Sequence, residues 1–513
     1  MHDSQFQKLP NTLYTAGQVR ELDRIAIEEH QLPGLLLMKR AAQACVDALF
    51  HHWRGTTRVA VFCGSGNNAG DGYFIAAFLA EKNVQVTIVQ LGNPEKLSPD
   101  ARQGYEMCCH RDIEFIDDPR QAKLNEVEVI VDALLGTGTS GEIRPQFAEA
   151  VDMINHHPSR VLSVDIPSGI SADTGQVLGV AVRADVTVSF IGMKRGLMTL
   201  DGPDYVGEMR YDSLGVPEDI FTKVGKAVVR LNYATLFSDF PERRGNSHKN
   251  SFGNLLLIGG DEGMSGAILM SAAAAMRAGA GVVTIATHPA HAAYLGTMHP
   301  ELMVRGVKDA AALDTLIDKA SCMVIGPGLG RSEWSEQLFG RAIQADLPMV
   351  IDADGLIWLS RLSRVPRVNN HWVLTPHPGE ATHLLQGAVE NNDTYESSNL
   401  PNVQFDRFSS VMEIQQIYGG NILLKGQGTL ICNSDDVFLC PYGNPGMSTA
   451  GMGDVLSGVI GGLVAQGCSL TQATTLGAVV HSKAADACAT RLGPRGLMAT
   501  DLYPEIRRLV NGN

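Results

Sequence analysis

The chain has 513 residues, of which 44% are hydrophobic and 19% charged, and its net charge is −14. That length admits two to four domains of ~100–200 residues, each with its own core. An acidic balance without a basic stripe excludes a nucleic-acid binder. Nine scattered cysteines without a Cys-x-x-Cys pair exclude a disulfide framework and a zinc site, and fit a reducing, cytoplasmic compartment. The opening stretch MHDSQFQKLPNTLYTAGQV is polar and has no signal core. The apolar stretches 267–287, which holds Arg277, and 455–466, which is too short, are expected to be buried rather than membrane-spanning.

Residues 14–53 read as two helices, the first capped by Thr15 and the second beginning after the break at Pro33-Gly34 and ending near Trp53. Apolar β-rich runs follow at 59–63, 84–91, 127–135, 161–166 and 186–191, separated by helical patterns such as 72–82 and 145–156. Strands alternating with helices imply parallel βαβ units in a doubly wound sheet, and runs apolar on both faces suit a sheet covered on both sides. The pattern lapses over 212–250, which includes PERRGNSHKNS, so two α/β domains are expected, 1–220 and 221–513. The second has strand-like runs at 255–258, 282–286, 323–325, 349–351, 372–374, 422–424 and 429–432, then a Gly/Ala-rich helical region from about Gly451. The polar, Asn-rich stretch 387–405 reads as a loop insertion.

The first strand runs into GSGNNAGDG (64–72). A glycine-rich turn before a helix lets backbone N–H groups approach an anion. It is no P-loop, lacking Gly-Lys-Ser/Thr, and its GxGxxxG spacing departs from the usual dinucleotide fingerprint. A tight turn without a ligand stays open, although Asn67, Asn68 and Asp71 add side-chain oxygens. Two further strand ends carry VDALLGTGTSGE (131–142), with Asp132, and VDIPSG (164–169), with Asp165 and Ser168. Ligands of open parallel sheets bind outside the carboxyl ends of strands, and Asn, Asp and Ser oxygens suit a hard cation. Each Asp alone also reads as a cap or loop anchor.

Together GSGNNAGDG, VDALLGTG and VDIPSG resemble the NAD(P)H-hydrate epimerase domain over roughly residues 10–215. The resemblance implies a Rossmann-like domain that interconverts the R and S epimers of hydrated NAD(P)H. It implies K⁺ held by Asn68, Asp132 and Ser168. It also implies substrate contacts from Asn67, Asn68, Ala69, Gly70 and Asp71, from Gly136, Thr137, Gly138, Thr139, Ser140, Gly141 and Glu142, and from Asp165, with Asp132 as the acid–base residue.

In the second half, NPGMSTAGMGDVLSGVIGGLVAQG (444–467) places Gly451-Met452-Gly453-Asp454 at the mouth of an apolar helix. Glycines there can cradle a phosphoryl group, and an Asp there can accept the proton of an attacking hydroxyl. LLKGQGTLI (423–431) reads as strand, turn, strand, with Lys425 and the turn amides available to phosphate. LTPHPGE, VIDADGL and IGPGLG are further polar strand ends. The order of these blocks resembles the ribokinase-like fold, and more closely the ADP-dependent NAD(P)H-hydrate dehydratase over about 225–507. That resemblance implies that Ala267, Gly328, His377 and Asp454 meet the hydrated nicotinamide, with Asp454 as base. Lys425, Gly426, Gln427, Gly428, Thr429 and Gly453 would contact ADP, which acts with Mg²⁺ as phosphoryl donor. The whole chain thus resembles the bifunctional repair family acting on NADHX and NADPHX, and a homo-oligomer is expected. A kinase for a hydroxymethyl or hydroxyethyl heterocycle, and a non-catalytic nucleotide sensor, remain the competing readings.

Overall fold

A computed structural model describes residues 9–121, 124–362, 371–391 and 402–512. The chain divides into two compact units, Met1–Val229 and Arg230–Asn513.

In the N-terminal unit Thr15 caps α1 (Ala16–Glu28) with a reciprocal capping box, and α2 (Gly34–His52) starts directly after Pro33. The alternating elements are β1 (Arg58–Cys63), α3 (Asn67–Glu81), β2 (Gln85–Gln90), α4 (Pro99–Cys109), β3 (Glu114–Ile116), β4 (Val129–Ala133), α5 (Pro145–His156), β5 (Arg160–Val164), β6 (Val186–Phe190) and β7 (Glu208–Asp212). The strand order is β3-β2-β1-β4-β5-β6-β7, every neighbouring pair parallel. This is the Rossmann order with one strand added, and it reverses direction between β1 and β4. Two cores flank the sheet. Residues of α1–α4 pack on one face, among them Leu49, Tyr73 and Phe74, and residues of α5 on the other, among them Phe147 and Ile154. The short edge strands β3 and β7 were not legible in the sequence, because charged and polar residues interrupt them and each pairs on one side alone. Helix α3 starts at Asn67 rather than near residue 72, so most of the glycine-rich motif is helix and not loop.

The C-terminal unit contains β8 (Asn254–Ile258), α6 (Ser265–Ala278), β9 (Val282–Thr287), β10 (Met303–Gly306), β11 (Cys322–Ile325), β12 (Met349–Ile351), β13 (Trp372–Leu374), α7 (Pro378–Asn391), α8 (Arg407–Tyr418), β14 (Asn421–Leu424), β15 (Thr429–Cys432), β16 (Val437–Cys440), α9 (Met452–Ala465) and α10 (Leu470–Leu492). Here the order is β10-β9-β8-β11-β12-β13-β14-β15-β16, parallel through β14 and antiparallel for the last two strands. Direction reverses between β8 and β11. The expected insertion at 387–405 is only partly a loop: α7 continues to Asn391, and residues 392–401 lie outside the described residues.

The glycines of α9 have a packing cause. A Cβ on Gly458 would lie 2.0 Å from the carbonyl oxygen of Ser271 in α6, and one on Gly461 would lie 2.4 Å from Val324 of β11. The helix is therefore pressed backbone-first against α6 and the sheet, which aims its N-terminus at the strand ends. It stops before Gly467 (φ 91°), and Ser469 opens α10 with a second capping box.

Candidate functional site

Both units gather polar groups beyond the carboxyl ends of their strands, the N-terminal unit where its strand order reverses and the C-terminal unit beyond β12, β13 and β14. In the N-terminal unit, β1 and β4 approach so closely beyond their ends that a Cβ on Gly64 would lie 2.1 Å from the carbonyl oxygen of Leu134. Above them is a cavity of about 560 Å³, lined among others by Asn67, Asn68, Asp71, Gly136, Thr137, Gly138, Thr139 and Asp165. A volume of this size suits a small-molecule ligand.

Asp132 is not on the cavity wall. It is fully buried beneath it, and both carboxylate oxygens hold protein donors. Ser168 Oγ donates to Oδ1 at 2.6 Å, while Ser163 Oγ and the Ser168 N–H donate to Oδ2 at 2.8 and 2.9 Å. Burial raises its pKa, and the Ser168 bonds oppose that rise. Beside it, Asn68 donates through Nδ2 to the Leu135 carbonyl at 2.9 Å, which leaves its buried Oδ1 without a hydrogen-bond partner.

The rest of the expected N-terminal set divides. Ser140, Gly141 and Glu142 are exposed and line no part of the cavity. Ala69 and Gly70 are buried in packing; a Cβ on Gly70 would meet Met38 Sδ at 2.6 Å and Ala101 at 2.7 Å. Asp165 does line the cavity, in a left-handed backbone conformation (φ 67°) that a non-glycine residue adopts at a cost of ~1–3 kcal/mol, a mark of functional sites. The Lys194 ammonium, itself buried, lies against Asp165 Oδ1 and also donates to the Phe190 carbonyl at 3.0 Å and to Ser189 Oγ at 3.2 Å. Sequence reasoning missed Lys194, and it missed Asp23 of α1, which faces the same cavity. Their signals were a lysine following an apolar strand and an acid between Val19 and Ile27, each four residues away on one helical face.

In the C-terminal unit, β14 and β15 form a hairpin whose turn, 425–428, leads out of the sheet beside the N-terminus of α9. A Cβ on Gly453 would lie 3.3 Å from Lys425 Nζ and 3.6 Å from Asp352 Oδ2, so this glycine keeps the helix mouth open to both. Lys425 donates to the buried Asp352 at 2.8 Å and lies 3.5 Å from Glu380. Burial opposes the charge on Lys425, but Asp352 and Glu380 outweigh it and raise its pKa. Asp454, in the first turn of α9, is pushed up to about 7 by burial and by Asp352, against the pull of Lys425. Such a value suits a base working near neutrality.

Two expected substrate contacts meet: a Cβ on Gly328 would be 3.2 Å from Ala267 Cβ. The Gly328 loop is joined to the segment after Asp352, because the Gly330 N–H donates to Asp354 at 2.9 Å. His377 is more than half exposed, and its Nδ1 accepts the Gly379 N–H at 3.0 Å, so it also caps its own helix. Arg407 escaped the sequence reading. This nearly buried guanidinium donates to the carbonyls of Leu424, Lys425 and Gly428 at 3.1, 3.2 and 3.3 Å, and also to Gln427. It thereby ties the backbone of the 425–428 turn to the start of α8.

Among the described residues no group of three or more His, Cys, Asp or Glu is placed to hold a metal ion, and no helix is long and apolar enough to cross a membrane.

Known proteins match both units. The family profile described as NAD(P)H-hydrate dehydratase covers residues 255–508, and that described as YjeF-related protein N-terminus covers 34–196. The chain is 44% identical over 500 residues to the bifunctional NAD(P)H-hydrate repair enzyme of Coxiella burnetii (strain RSA 493 / Nine Mile phase I), covering 97% of this chain and 99% of that one. It belongs to the bifunctional NAD(P)H-hydrate repair enzymes. The repair enzyme of Escherichia coli (strain K12) is 36% identical over 504 residues, covering 98% of this chain and 95% of that one. A solved ADP/ATP-dependent NAD(P)H-hydrate dehydratase from Bacillus subtilis, co-crystallised with ATP and Mg²⁺, is similar over 55% of this chain and 97% of that one, at 26% identity and a TM-score of 0.47. As a repair enzyme the chain carries an epimerase domain followed by a dehydratase domain.

Proposed function

We propose that the N-terminal cavity interconverts the R and S forms of NADHX and NADPHX, and that the α9 mouth dehydrates the S form with ADP, releasing AMP and phosphate. The observation that carries the dehydratase half is Asp454 at the helix mouth, beside the lysine of a phosphate-type turn. Asp454 accepts the proton of the C6 hydroxyl as its oxygen attacks the terminal phosphorus of ADP, and the bond to AMP breaks. Water has a pKa of ~15.7 as the acid of a hydroxide leaving group, whereas the second pKa of phosphate is about 6. Departure is therefore easier by up to ~13 kcal/mol at ~1.4 kcal/mol per pK unit. The ring nitrogen expels phosphate, and loss of the C5 proton restores the dihydropyridine. Lys425, the 426–429 backbone and Gly453 hold the nucleotide phosphates, with Mg²⁺ accompanying the ADP. Ala267, Gly328 and His377 face the nicotinamide.

In the epimerase, Asn68, Asp132 and Ser168 fit K⁺. The unpartnered Asn68 Oδ1 points to a missing positive partner, and an all-oxygen donor set suits a hard cation. The ion would neutralise buried Asp132 and hold the 134–136 turn. Acid–base work then falls to Asp165, which lines the cavity, and not to Asp132, whose oxygens are occupied.

The test uses separated R and S hydrates of NADH with ADP and Mg²⁺, read as return of reduced-nicotinamide absorbance and release of AMP. Recovery from both epimers is expected. Recovery without AMP, or a stable phosphorylated product, overturns the dehydratase scheme.

A further inference from the structure

Besides Asp100, three carboxylates reach the epimerase cavity from three elements: Asp23 from α1, Asp71 from the second turn of α3, and Asp165 from the end of β5. A single ammonium, Lys194, stands among them, and its contacts go to Asp165, Ser189 and the Phe190 carbonyl. The remaining charged groups on the wall are Arg20 of the same helix as Asp23, together with Asp100 and Arg144. Val19, Asp23 and Ile27 follow one another at four-residue spacing and all line the cavity, so this face of α1 belongs to the site.

Epimerisation at C6 needs a proton donor where the hydroxyl leaves and an acceptor where water returns on the opposite ring face. One carboxylate cannot serve both faces. Asp165, paired with Lys194 and open to the cavity, is placed to act as the acceptor. We propose that Asp23 is the second catalytic carboxylate of the epimerase, working with Asp165 across the bound nicotinamide ring. In one direction the Asp23 carboxylic acid gives its proton to the C6 hydroxyl. The C6–O pair leaves with the oxygen as water, and the N1 lone pair forms the C6=N1 iminium. Water adds to the other face, the C=N pair returns to N1, and Asp165 takes the proton released. The reverse direction exchanges the two roles, and proton exchange with cavity water resets them. Burial in the cavity, opposed by Lys194 and reinforced by Asp165, pushes Asp23 up to about 6, a value that lets it cycle near neutrality.

The full-length enzyme supplies its own control, because ADP-dependent dehydration of the S hydrate reports on the other unit. R-to-S conversion is followed chromatographically without ADP, above the enzyme-free rate, for wild type, Asp23→Asn and Asp23→Glu between pH 5 and 9. Asp23→Asn is expected to slow conversion by roughly 10²–10⁴-fold. It is also expected to abolish the pH dependence centred near 6, while dehydration of the S hydrate is unchanged and Asp23→Glu recovers part of the rate. The proposal is overturned if Asp23→Asn converts within about threefold of wild type. It is equally overturned if the rate falls while the limb near pH 6 survives, since that marks a positioning effect. A wild-type chain with no conversion at all would instead overturn the assignment of epimerisation to this cavity.

Discussion

The two sites use the same ingredients differently. Each sets one buried or half-buried lysine among three carboxylates: Lys194 with Asp23, Asp71 and Asp165, and Lys425 with Asp352, Glu380 and Asp454. In the dehydratase, Lys425 is held by Asp352 and Glu380, and Asp454 at the helix mouth is the proton acceptor we propose. In the epimerase, Lys194 is committed to one acid. The other two are pushed up chiefly by burial, with Lys194 opposing and neighbouring acids adding. In the proposed scheme the first arrangement serves a base that accepts one proton during phosphoryl transfer. In the proposed scheme the second offers a carboxylic acid as donor and a carboxylate as acceptor, in either direction.

The sharpest way to break this contrast is Asp454→Ala. Dehydration of the S hydrate should fall by roughly 10²–10⁴-fold, and R/S conversion should be untouched. Loss of both activities would show that the units do not act independently. Next comes Asp132→Asn. If Asp132 anchors an ion and a turn, conversion should drop by about 10–100-fold and its dependence on K⁺ should weaken, with dehydration retained. A loss as large as that of Asp454→Ala, with K⁺ dependence kept, would return Asp132 to acid–base duty. Arg407→Lys tests the turn behind the nucleotide. A lysine replaces the planar fork that reaches several carbonyls, so KM for ADP should rise by about tenfold with kcat nearly kept.

pH separates the two sites more finely. Asp454 must be ionised to act as base, so dehydratase kcat/KM should fall as pH drops through about 7, while the epimerase limb lies near 6. The same shift has a stability consequence. The folded pKa of Asp454 is raised, so the folded state is penalised above the unfolded pKa, increasingly from about pH 4 to about 7. Three pK units at ~1.4 kcal/mol set an upper bound of about 4 kcal/mol. Asp454→Asn should therefore melt a few degrees higher than wild type at pH 8 and no higher at pH 4, as read by calorimetry.

What the sequence carried by itself was whatever lies within one stretch of chain. The alternation of apolar runs and helices determined two α/β units, because a parallel sheet demands crossover helices. The blocks GMGD, KGQGT and VDIPSG determined where phosphate or ion chemistry is possible, because strand ends and helix mouths expose backbone groups whatever surrounds them. Tertiary structure alone decided which side of a wall a residue occupies. Asp132 and Asp165 look alike at two strand ends, yet one is sealed under the cavity by Ser163 and Ser168 and the other opens into it. Asp23 sits in an ordinary amphipathic helix, and Arg407 precedes its turn by 18 residues. Each becomes part of a site only when folding brings distant elements together, since burial, hydrogen-bond occupancy and proximity between charges are properties of the packed chain and not of residue order.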